Sequence, residues 1–448
     1  MTSPASTLPV EAARSGQVNA AVDLAVQRPL DIALVHAADL GGGAERSVLT
    51  LHQTLRRLGH RSRLFVGSKQ SDEPEVYEIR RERSIPGLLR ITRWLENGMG
   101  WQNLYAPWFR ELHRQIGAAD ILHIHTLWGG TFGYSDLTGL VRLSRRYPTV
   151  MTLRDGFMLT GHCACPIQCA RWQTGCGRCP DLKRAPAIPR DATALNWRRK
   201  RNAIQRSPLH VTTVSHWLKT QVEQSPIFTG KPVSVVHNSI DETVFHPGSQ
   251  QAARAELGLP TDAFLVLLAG QSVEGIHQGI AQQGVAALNQ LGNANITALL
   301  VGHSAPLVAA TLTGPSVVRP FQKTPEEMAR YYRAADVTLV CSEYETFGRV
   351  AAEAIYCGTP VIAFATGGLA DIVVQDVTGW LVSTGNVDGL AKGLDDAFRR
   401  RQTLPEFGRQ ASRWATNQFS MDLIAHQYLD VYRRTRQCLP TESSPHGN

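Results

Sequence analysis

Two glutamates eight residues apart, Glu345 and Glu353, are the side chains of this sequence best placed to do chemistry. The residues between them include Thr346, Phe347 and Gly348, whose backbone N–H groups precede a predicted helix. A helix N-terminus with free N–H groups favours a phosphate or a ligand rich in hydroxyls. An isolated pair of this kind would also be compatible with two solvated glutamates beside an ordinary helix. The surrounding sequence distinguishes the two interpretations.

The flanking residues predict the elements that position this pair. The apolar run Val337–Val340 has the composition of a buried parallel strand, and a second apolar run covers residues 360–364. A turn with Gly348 and a short helix connect them. Glu345 then lies in the loop at the carboxyl end of a strand, where open α/β sheets bind ligands. Glu353 lies about one turn into the helix.

With a Cys-Gly-Thr-Pro run at 357–360 and the pair Gly367-Gly368, this segment resembles the Glu-x7-Glu signature of retaining glycosyltransferases of family 4. These are GT-B enzymes that use nucleotide-sugar donors. The resemblance implies that Glu345 contacts the donor sugar and Glu353 holds the ribose hydroxyls. It also implies that Thr346, Phe347 and Gly348 bind the donor through their backbone, that the anomeric configuration is retained, and that catalysis needs no metal.

A glycine-rich loop follows the first apolar strand of the chain. Residues 32–36 predict that strand, residues 40–47 contain Gly42 and Gly43, and a helical pattern continues to Leu58. This order opens a Rossmann-like domain, and glycines allow a ligand to approach the backbone closely. By the same resemblance, Gly42 and Gly43 face the donor phosphate and the acceptor.

The predicted fold class is α/β, of the GT-B type, with two Rossmann-like domains facing across a cleft and a C-terminal helix returning to the first domain. Near residue 233 a stretch ending in Ile240-Asp241 resembles the family's Asn-Gly-Ile-Asp linker, with Ser239 in place of glycine. The predicted organisation is a disordered leader over 1–29, an acceptor domain over 30–232 with a cysteine-rich insertion at 162–180, a donor domain over 233–418, a C-terminal helix over 419–437, and a disordered tail over 438–448.

Five of the eight cysteines fall within residues 162–180. Cys176 and Cys179 form a Cys-x2-Cys pair, and Cys163 and Cys169 lie upstream at a spacing that completes a tetrahedral thiolate site. Disulfides are rare in cytosolic proteins, so zinc is the simplest occupant. Four protein ligands leave no open position, which predicts a structural rather than a catalytic zinc.

Alternatives to this ligand set remain. Cys165 or His162 can substitute for one thiolate, an iron–sulfur cluster can replace zinc, and the thiols can simply be reduced. The segment also resembles the cysteine insertion of family-4 enzymes of bacterial exopolysaccharide assembly, in which Cys165 is extra.

Two departures from the family pattern bear on catalysis. The family usually places a histidine near the reacting sugar where this chain has Arg154, followed by the retained Asp155. Relatives also carry Arg and Lys against the donor diphosphate, whereas this chain has His277 and Gln278. Losing two cations weakens stabilisation of the leaving group unless protonated His277, Arg349 or a basic residue of the other domain substitutes. The predicted catalytic set is Glu345, Arg154 and Asp155, with His277 and Gln278 at the donor.

Composition restricts the remaining classes. The chain has 448 residues, 43% of them hydrophobic and 19% charged, with a net charge of +8. It contains no apolar run near the about 20 residues that span a bilayer and no signal peptide, which predicts a cytoplasmic protein. Basic runs at 80–83, 142–146 and 198–201 are mostly solvated surface. The segment 85–108, with tryptophans and arginines, predicts peripheral association with an anionic membrane on its inner face. No nucleic-acid-binding module accompanies the charge.

The sequence therefore predicts a hexosyltransferase-type enzyme that moves a sugar from a nucleotide diphosphate sugar to a saccharide acceptor, including a lipid-linked one, in polysaccharide or glycan biosynthesis. The main alternative is a GT-B relative that has lost turnover and serves as a sugar-binding or scaffolding subunit of a polysaccharide assembly complex. The pair at 277–278 favours this alternative, and the retention of Glu345 and Glu353 disfavours it. A third interpretation is a GT-B sugar-nucleotide epimerase.

Overall fold

The computed structural model describes residues 28–80, 86–128, 134–269 and 278–437. The predicted leader lies almost wholly outside this part of the chain, and the predicted tail and His277 lie outside it entirely. Gln278 begins a helix, but its side chain is outside the described part.

The first domain is built on a parallel sheet of seven strands, in the order β3-β2-β1-β4-β5-β6-β7. Its central strands are apolar along nearly their whole length because helices cover both faces of such a sheet. The strands are β1 Asp31–Ala38, β2 Arg61–Ser68, β3 Val76–Glu78, β4 Ile121–Ile124, β5 Thr149–Leu153, β6 His210–Thr213 and β7 Val233–Val235.

Seven α-helices of the described chain connect these strands. They are α1 Gly43–Arg57, α2 Pro86–Met99, α3 Pro107–Arg110, α4 His113–Ile116, α5 Leu137–Arg146, α6 Thr193–Gln205 and α7 His216–Gln224. A single 3-10 turn, Arg171–Gln173, lies in the cysteine-rich insertion. Asp136 and Ser215 cap α5 and α7 by accepting hydrogen bonds from backbone N–H groups, as short polar side chains do at helix N-termini.

The second domain has a parallel sheet of six strands in the order β10-β9-β8-β11-β12-β13. The strands are β8 Phe264–Ala269, β9 Ile296–Val301, β10 Ser316–Arg319, β11 Val337–Val340, β12 Val361–Phe364 and β13 Gly379–Val382. The helices are α8 Gln250–Leu257, α9 Gln278–Leu291, α10 Ala305–Ala309, α11 Pro325–Ala334, α12 Arg349–Tyr356, α13 Leu369–Ile372, α14 Val387–Arg399, α15 Leu404–Phe419 and α16 Met421–Gln437. The predicted strand, loop, helix and strand around Glu345 are confirmed as β11, α12 and β12.

The predicted domain boundary at 232/233 is wrong by a few residues. Val233–Val235 forms β7, which pairs in parallel with β6 at the edge of the first sheet. The polar continuation of this stretch, with Asn238 and Asp241, resembles a linker, which is why its sequence predicts the crossover. Strand pairing is a tertiary property, and the first domain therefore extends to at least Val235.

The C-terminal helix α16 returns to the first domain, as predicted. It packs on α1 and β5. Tyr432 and Tyr428 are buried in this contact, and their hydroxyls lie 2.7 Å from His123 Nδ1 and 3.2 Å from Thr152 Oγ1. None of the helices in the described part of the chain is both long and apolar enough to cross a bilayer.

Candidate active site

Glu345 lies in the loop between β11 and α12. The backbone of this loop turns at Gly348, which has a left-handed conformation (φ 105°). A Cβ at Gly348 would lie 2.7 Å from Leu369 Cδ2, so both conformation and space require glycine there. Gly348 N donates to Glu345 Oε1 over 3.1 Å. Burial raises the pKa of the Glu345 carboxyl, with hydrogen bonds from backbone N–H groups opposing the shift.

Glu353 lies on α12 and is 5% exposed. Arg349 Nε, one turn earlier on the helix, donates to Glu353 Oε1 over 2.7 Å. Arg46 of the first domain approaches the same oxygen to 3.6 Å, and the Tyr332 hydroxyl donates to Oε2 over 3.2 Å. A carboxylate this deeply buried is stabilised by such partners. Glu353 is therefore the point at which cations from both domains meet.

The glycine-rich loop faces α12 across the domain junction. Gly42 N donates to Glu45 Oε2 over 2.9 Å, which holds the loop at the N-terminus of α1. A Cβ at Gly43 would come within 2.9 Å of Arg349 Cδ, so the two domains approach closely here. Arg349 Nη1 also donates to Ser47 Oγ over 3.0 Å.

A cavity of about 370 Å³ opens between these elements. Its lining contains Gly41–Gly43 and Arg46 of the first domain, and Lys323, Arg349 and Glu353 of the second. Three cations, one carboxylate and the N-terminus of α12 give it a positive balance that suits an anion. Its volume lies within the range of small-molecule sites, about 300–1,000 Å³. The cavity can hold a ligand with phosphate groups.

Arg154 and Asp155 form part of the first-domain wall beside Glu345. The Arg154 guanidinium donates to Asn238 Oδ1 and lies 3.2 Å from His125 Nδ1. The Arg154 carbonyl accepts from Thr346 Oγ1 over 2.7 Å, which ties the first-domain wall to the Glu345 loop. Arg154 therefore lies next to the Glu345 loop, held by protein partners, and it is not among the residues that line the cavity.

Asp155 is braced by its own domain. Trp128 Nε1 donates to Asp155 Oδ2 over 2.7 Å, and Phe157 N donates to Oδ1 over 2.8 Å. Burial raises the pKa of the Asp155 carboxyl, and these hydrogen bonds oppose the shift. Both oxygens are engaged by the protein, so Asp155 has the geometry of a residue that positions the loop after β5.

Three buried histidines at the cleft ends of first-domain strands were missed from the sequence. His36 lies near the carboxyl end of β1, His123 lies in β4, and His125 directly follows β4. All three side chains are at most 1% exposed. The ring centroids of His123 and His125 lie 3.9 Å apart with the ring planes tilted by 36°, and His36 Nε2 lies 3.5 Å from Glu45 Oε1. Desolvation by burial lowers the pKa of all three imidazoles. Polar residues at the carboxyl ends of successive parallel strands were the signal that would have found them.

The cysteine-rich insertion folds around one small cavity of about 20 Å³, space for about one water-sized occupant. All four predicted ligands, Cys163, Cys169, Cys176 and Cys179, line it together with His162. His162 Nε2 lies 3.3 Å from Cys179 Sγ. No three of these sulfur atoms lie within 4.8 Å of one another in the described structure. The set has the residue types of a metal site, and its thiols would turn further inward to bind one ion.

Lys200 lies beneath this insertion, although the sequence placed it in a solvated basic run. It is 1% exposed, and its Nζ donates to Phe157 O over 2.6 Å and to Thr160 O over 3.1 Å. Desolvation lowers the pKa of Lys200 to about 7. The Lys200 Nζ therefore holds the loop between Asp155 and the first cysteine through its hydrogen bonds.

Two family models match the chain. Residues 41–244 match Glycosyltransferase Family 4, and residues 250–414 match Glycosyl transferases group 1. Among curated proteins, the chain is 36% identical over 229 residues to a D-inositol 3-phosphate glycosyltransferase of Nocardioides sp., covering 46% of this chain and 49% of that protein. It is 35% identical over 217 residues to the Mycobacterium avium protein of the same name, covering 47% and 51%. The matches thus span about half the length of these relatives.

Solved structures share the fold at low sequence identity. Anabaena HepE, in complex with UDP and glucose, has a TM-score of 0.63 and 18% identity, covering 90% of this chain and 100% of that one. Sucrose-phosphate synthase of Thermosynechococcus elongatus has a TM-score of 0.65 and 20% identity, covering 91% and 99%. The chain therefore has the GT-B fold, with its first half similar to the Glycosyltransferase Family 4 model and its second half similar to the Glycosyl transferases group 1 model.

Proposed function

We propose that this protein is a retaining glycosyltransferase that moves a sugar from a nucleotide diphosphate sugar to a hydroxyl group of an acceptor. One observation carries the proposal: Glu353 on α12 lines a cationic cavity walled by the glycine loop, and Glu345 lies in the loop that leads into the same helix. Glu345 orients the donor sugar, and Glu353 binds the ribose hydroxyls. Such chemistry depends on positioning and on stabilising the leaving diphosphate.

The cations that face the diphosphate are Arg46 and Arg349 in this proposal. Both line the cavity, and they come from different domains. They replace the family's basic pair, for which this chain has His277 and Gln278. Arg349 occupies the first position of α12, where the helix dipole adds to its charge. Both guanidiniums contact Glu353, and a bound diphosphate would compete for them.

The proposed acceptor is a saccharide, including a lipid-linked one, in the assembly of a glycan or exopolysaccharide. The cysteine-rich insertion supports this assignment through its resemblance to enzymes of that subgroup. The names of the curated relatives favour a second acceptor, D-inositol 3-phosphate. The buried Arg154 and the histidines at the cleft belong to the domain expected to bind either acceptor.

Peripheral association with an anionic membrane completes the proposal. On α2, Leu88, Ile91 and Trp94 recur at a spacing of three and are 39%, 58% and 65% exposed. Large apolar side chains exposed on one helix, with Arg90 between them, suit the headgroup layer of a membrane. A lipid-linked acceptor would be met at this surface.

A structural zinc in the cysteine-rich insertion is proposed as well. Cys163, Cys169, Cys176 and Cys179 would hold it, with His162 as the substitute ligand. When bound, the ion would cross-link a loop that has little core of its own. Burial raises the pKa of the Cys176 thiol to about 12, so metal binding would release protons from this cluster.

Calorimetric binding of UDP-, GDP-, ADP- and dTDP-sugars tests the donor site, with Glu353→Ala as the comparison. Saturable binding of one nucleotide class, lost in the variant, would support it. Transfer to saccharide acceptors and to D-inositol 3-phosphate then distinguishes the acceptors. If the folded protein binds none of these nucleotide sugars, the proposal is contradicted. That result would favour the alternative, a sugar-binding or scaffolding relative without turnover.

A further inference from the structure

Two histidines and an aspartate meet where the two domains join. His216 begins α7 of the first domain, His237 lies two residues after β7, and Asp371 lies on α13 of the second domain. His216 Nδ1 and His237 Nε2 each lie 3.1 Å from Asp371 Oδ2. The backbone N–H of His216 donates to the same oxygen over 2.7 Å. Three nitrogen atoms thus converge on one carboxylate oxygen.

The spacing of these atoms is close to that of a metal site. The three candidate ligand atoms lie within 4.8 Å of one another, the one such trio among the described residues. In a tetrahedral site with bonds of about 2.0–2.1 Å, neighbouring ligand atoms are about 3.3 Å apart. The separations of 3.1 Å from Asp371 Oδ2 already match that edge length. In a metal site the two ring nitrogens would face the ion in place of the carboxylate oxygen.

The surroundings leave room for further ligands. Side-chain exposure is 70% at His216, 17% at His237 and 13% at Asp371. The inner two ligands are therefore ordered by packing, whereas the outer imidazole borders solvent, which can supply the fourth ligand. A ligand set of imidazole and carboxylate suits divalent first-row transition metals such as Zn²⁺. It differs in this from a thiolate site, which prefers softer metal ions.

We propose that His216, His237 and Asp371 bind one divalent transition-metal ion that links the two domains. The cleft cavity and the cysteine-rich cavity have none of these residues in their linings. The site still contacts the Glu345 loop. The His237 ring packs against Phe347 at 6.2 Å, and Gly368, just before α13, donates its N–H to the Glu345 carbonyl over 2.8 Å. The ion would hold the loop and both domains together.

Zinc titration of the full chain tests this site. Wild type is compared with His216→Ala and His237→Ala, with His426→Ala, an exposed histidine on α16, as the matched control. Each site variant should either bind one zinc fewer per chain than wild type or bind that zinc with lower affinity. The loss of affinity should exceed the about 10–100-fold that removal of an outer-shell partner costs. The control should bind like wild type. Unchanged binding in both site variants would overturn the proposal.

Co²⁺ absorption separates this site from the thiol cluster. Cobalt held by imidazole and carboxylate lacks the thiolate charge-transfer bands of a cysteine site. Cys176→Ser should therefore keep the metal that His237→Ala loses. Zinc should also raise the melting temperature of wild type more than that of His216→Ala, which removes an exposed side chain and no core. If Cys176→Ser abolished all metal binding, the histidine site would be refuted and the trio would be an ion-paired contact only.

Discussion

Arg349 Nε donates to Glu353 Oε1 over 2.7 Å, one turn along the same helix. The guanidinium thereby stands at the N-terminus of α12, inside the cavity between the domains. Its other arm reaches Ser47 of the first domain. A single arginine thus neutralises a buried carboxylate, joins the two domains and adds positive charge where a phosphate is most favoured.

Replacing Arg349 should impair transfer. Arg349→Met keeps the aliphatic stem but removes the cation, so kcat is expected to fall by about 100-fold, the cost of losing one preorganised charge-stabilising donor. The measurement is steady-state kinetics with the donor identified by calorimetry. Arg330→Met, at an exposed position on α11, is the matched control. Equal rates in Arg349→Met and wild type would remove Arg349 from the site.

Glu345 should be needed for turnover but not for folding. Glu345→Gln preserves an oxygen for the Gly348 N–H and removes the charge, so transfer should fall by at least about 100-fold at unchanged melting temperature. Glu343→Gln, two residues earlier and exposed, is the control. Full activity in Glu345→Gln would show that the carboxylate charge plays no part.

The imidazole of His210 should make the folded protein less stable in acid. Desolvation lowers the pKa of His210 to about 4 from 6.5. Below pH 6.5 His210 is therefore protonated in the unfolded chain but remains neutral in the folded chain. The free energy of unfolding consequently falls as pH decreases toward 4. Urea denaturation at about pH 7 and about pH 4.5 should show a smaller loss in His210→Gln than in wild type. Equal losses would contradict this assignment.

Membrane association should depend on the exposed face of α2. Ile91→Glu and Trp94→Glu place charge among apolar side chains that are 58% and 65% exposed, and both should reduce flotation with anionic liposomes. Leu307→Glu, at a 73% exposed position in the second domain, should float like wild type. If the wild-type protein floats with neither anionic nor neutral liposomes, the membrane proposal is refuted.

Zinc in the cysteine-rich insertion should disappear with its ligands. Cys176→Ser is expected to lower the metal content by about one zinc per chain and to reduce the melting temperature, because a closed thiolate site contributes folding energy. Cys165→Ser is the control, since Cys165 does not line the cavity. Identical zinc content and stability in Cys176→Ser and wild type would exclude a structural ion there.

The local elements of the donor half were predictable because their signals are local. The apolar run of β11, the glycine at 348 and the spacing of Glu345 and Glu353 are properties of neighbouring residues, and they determine strand, turn and helix. The boundary after Val235 was not predictable in the same way. Whether three residues join a sheet edge depends on the strand beside them.

The sequence by itself determined the two-domain α/β architecture, the placement of both glutamates around α12 and the clustering of the cysteines. Only the tertiary structure decided that Arg46 and Arg349 meet at Glu353, that Lys200 is buried, and that His216, His237 and Asp371 converge. The physical reason is distance along the chain. Arg349 and Ser47 are 302 residues apart, and no periodicity or motif spacing encodes a contact that packing of two separate domains creates.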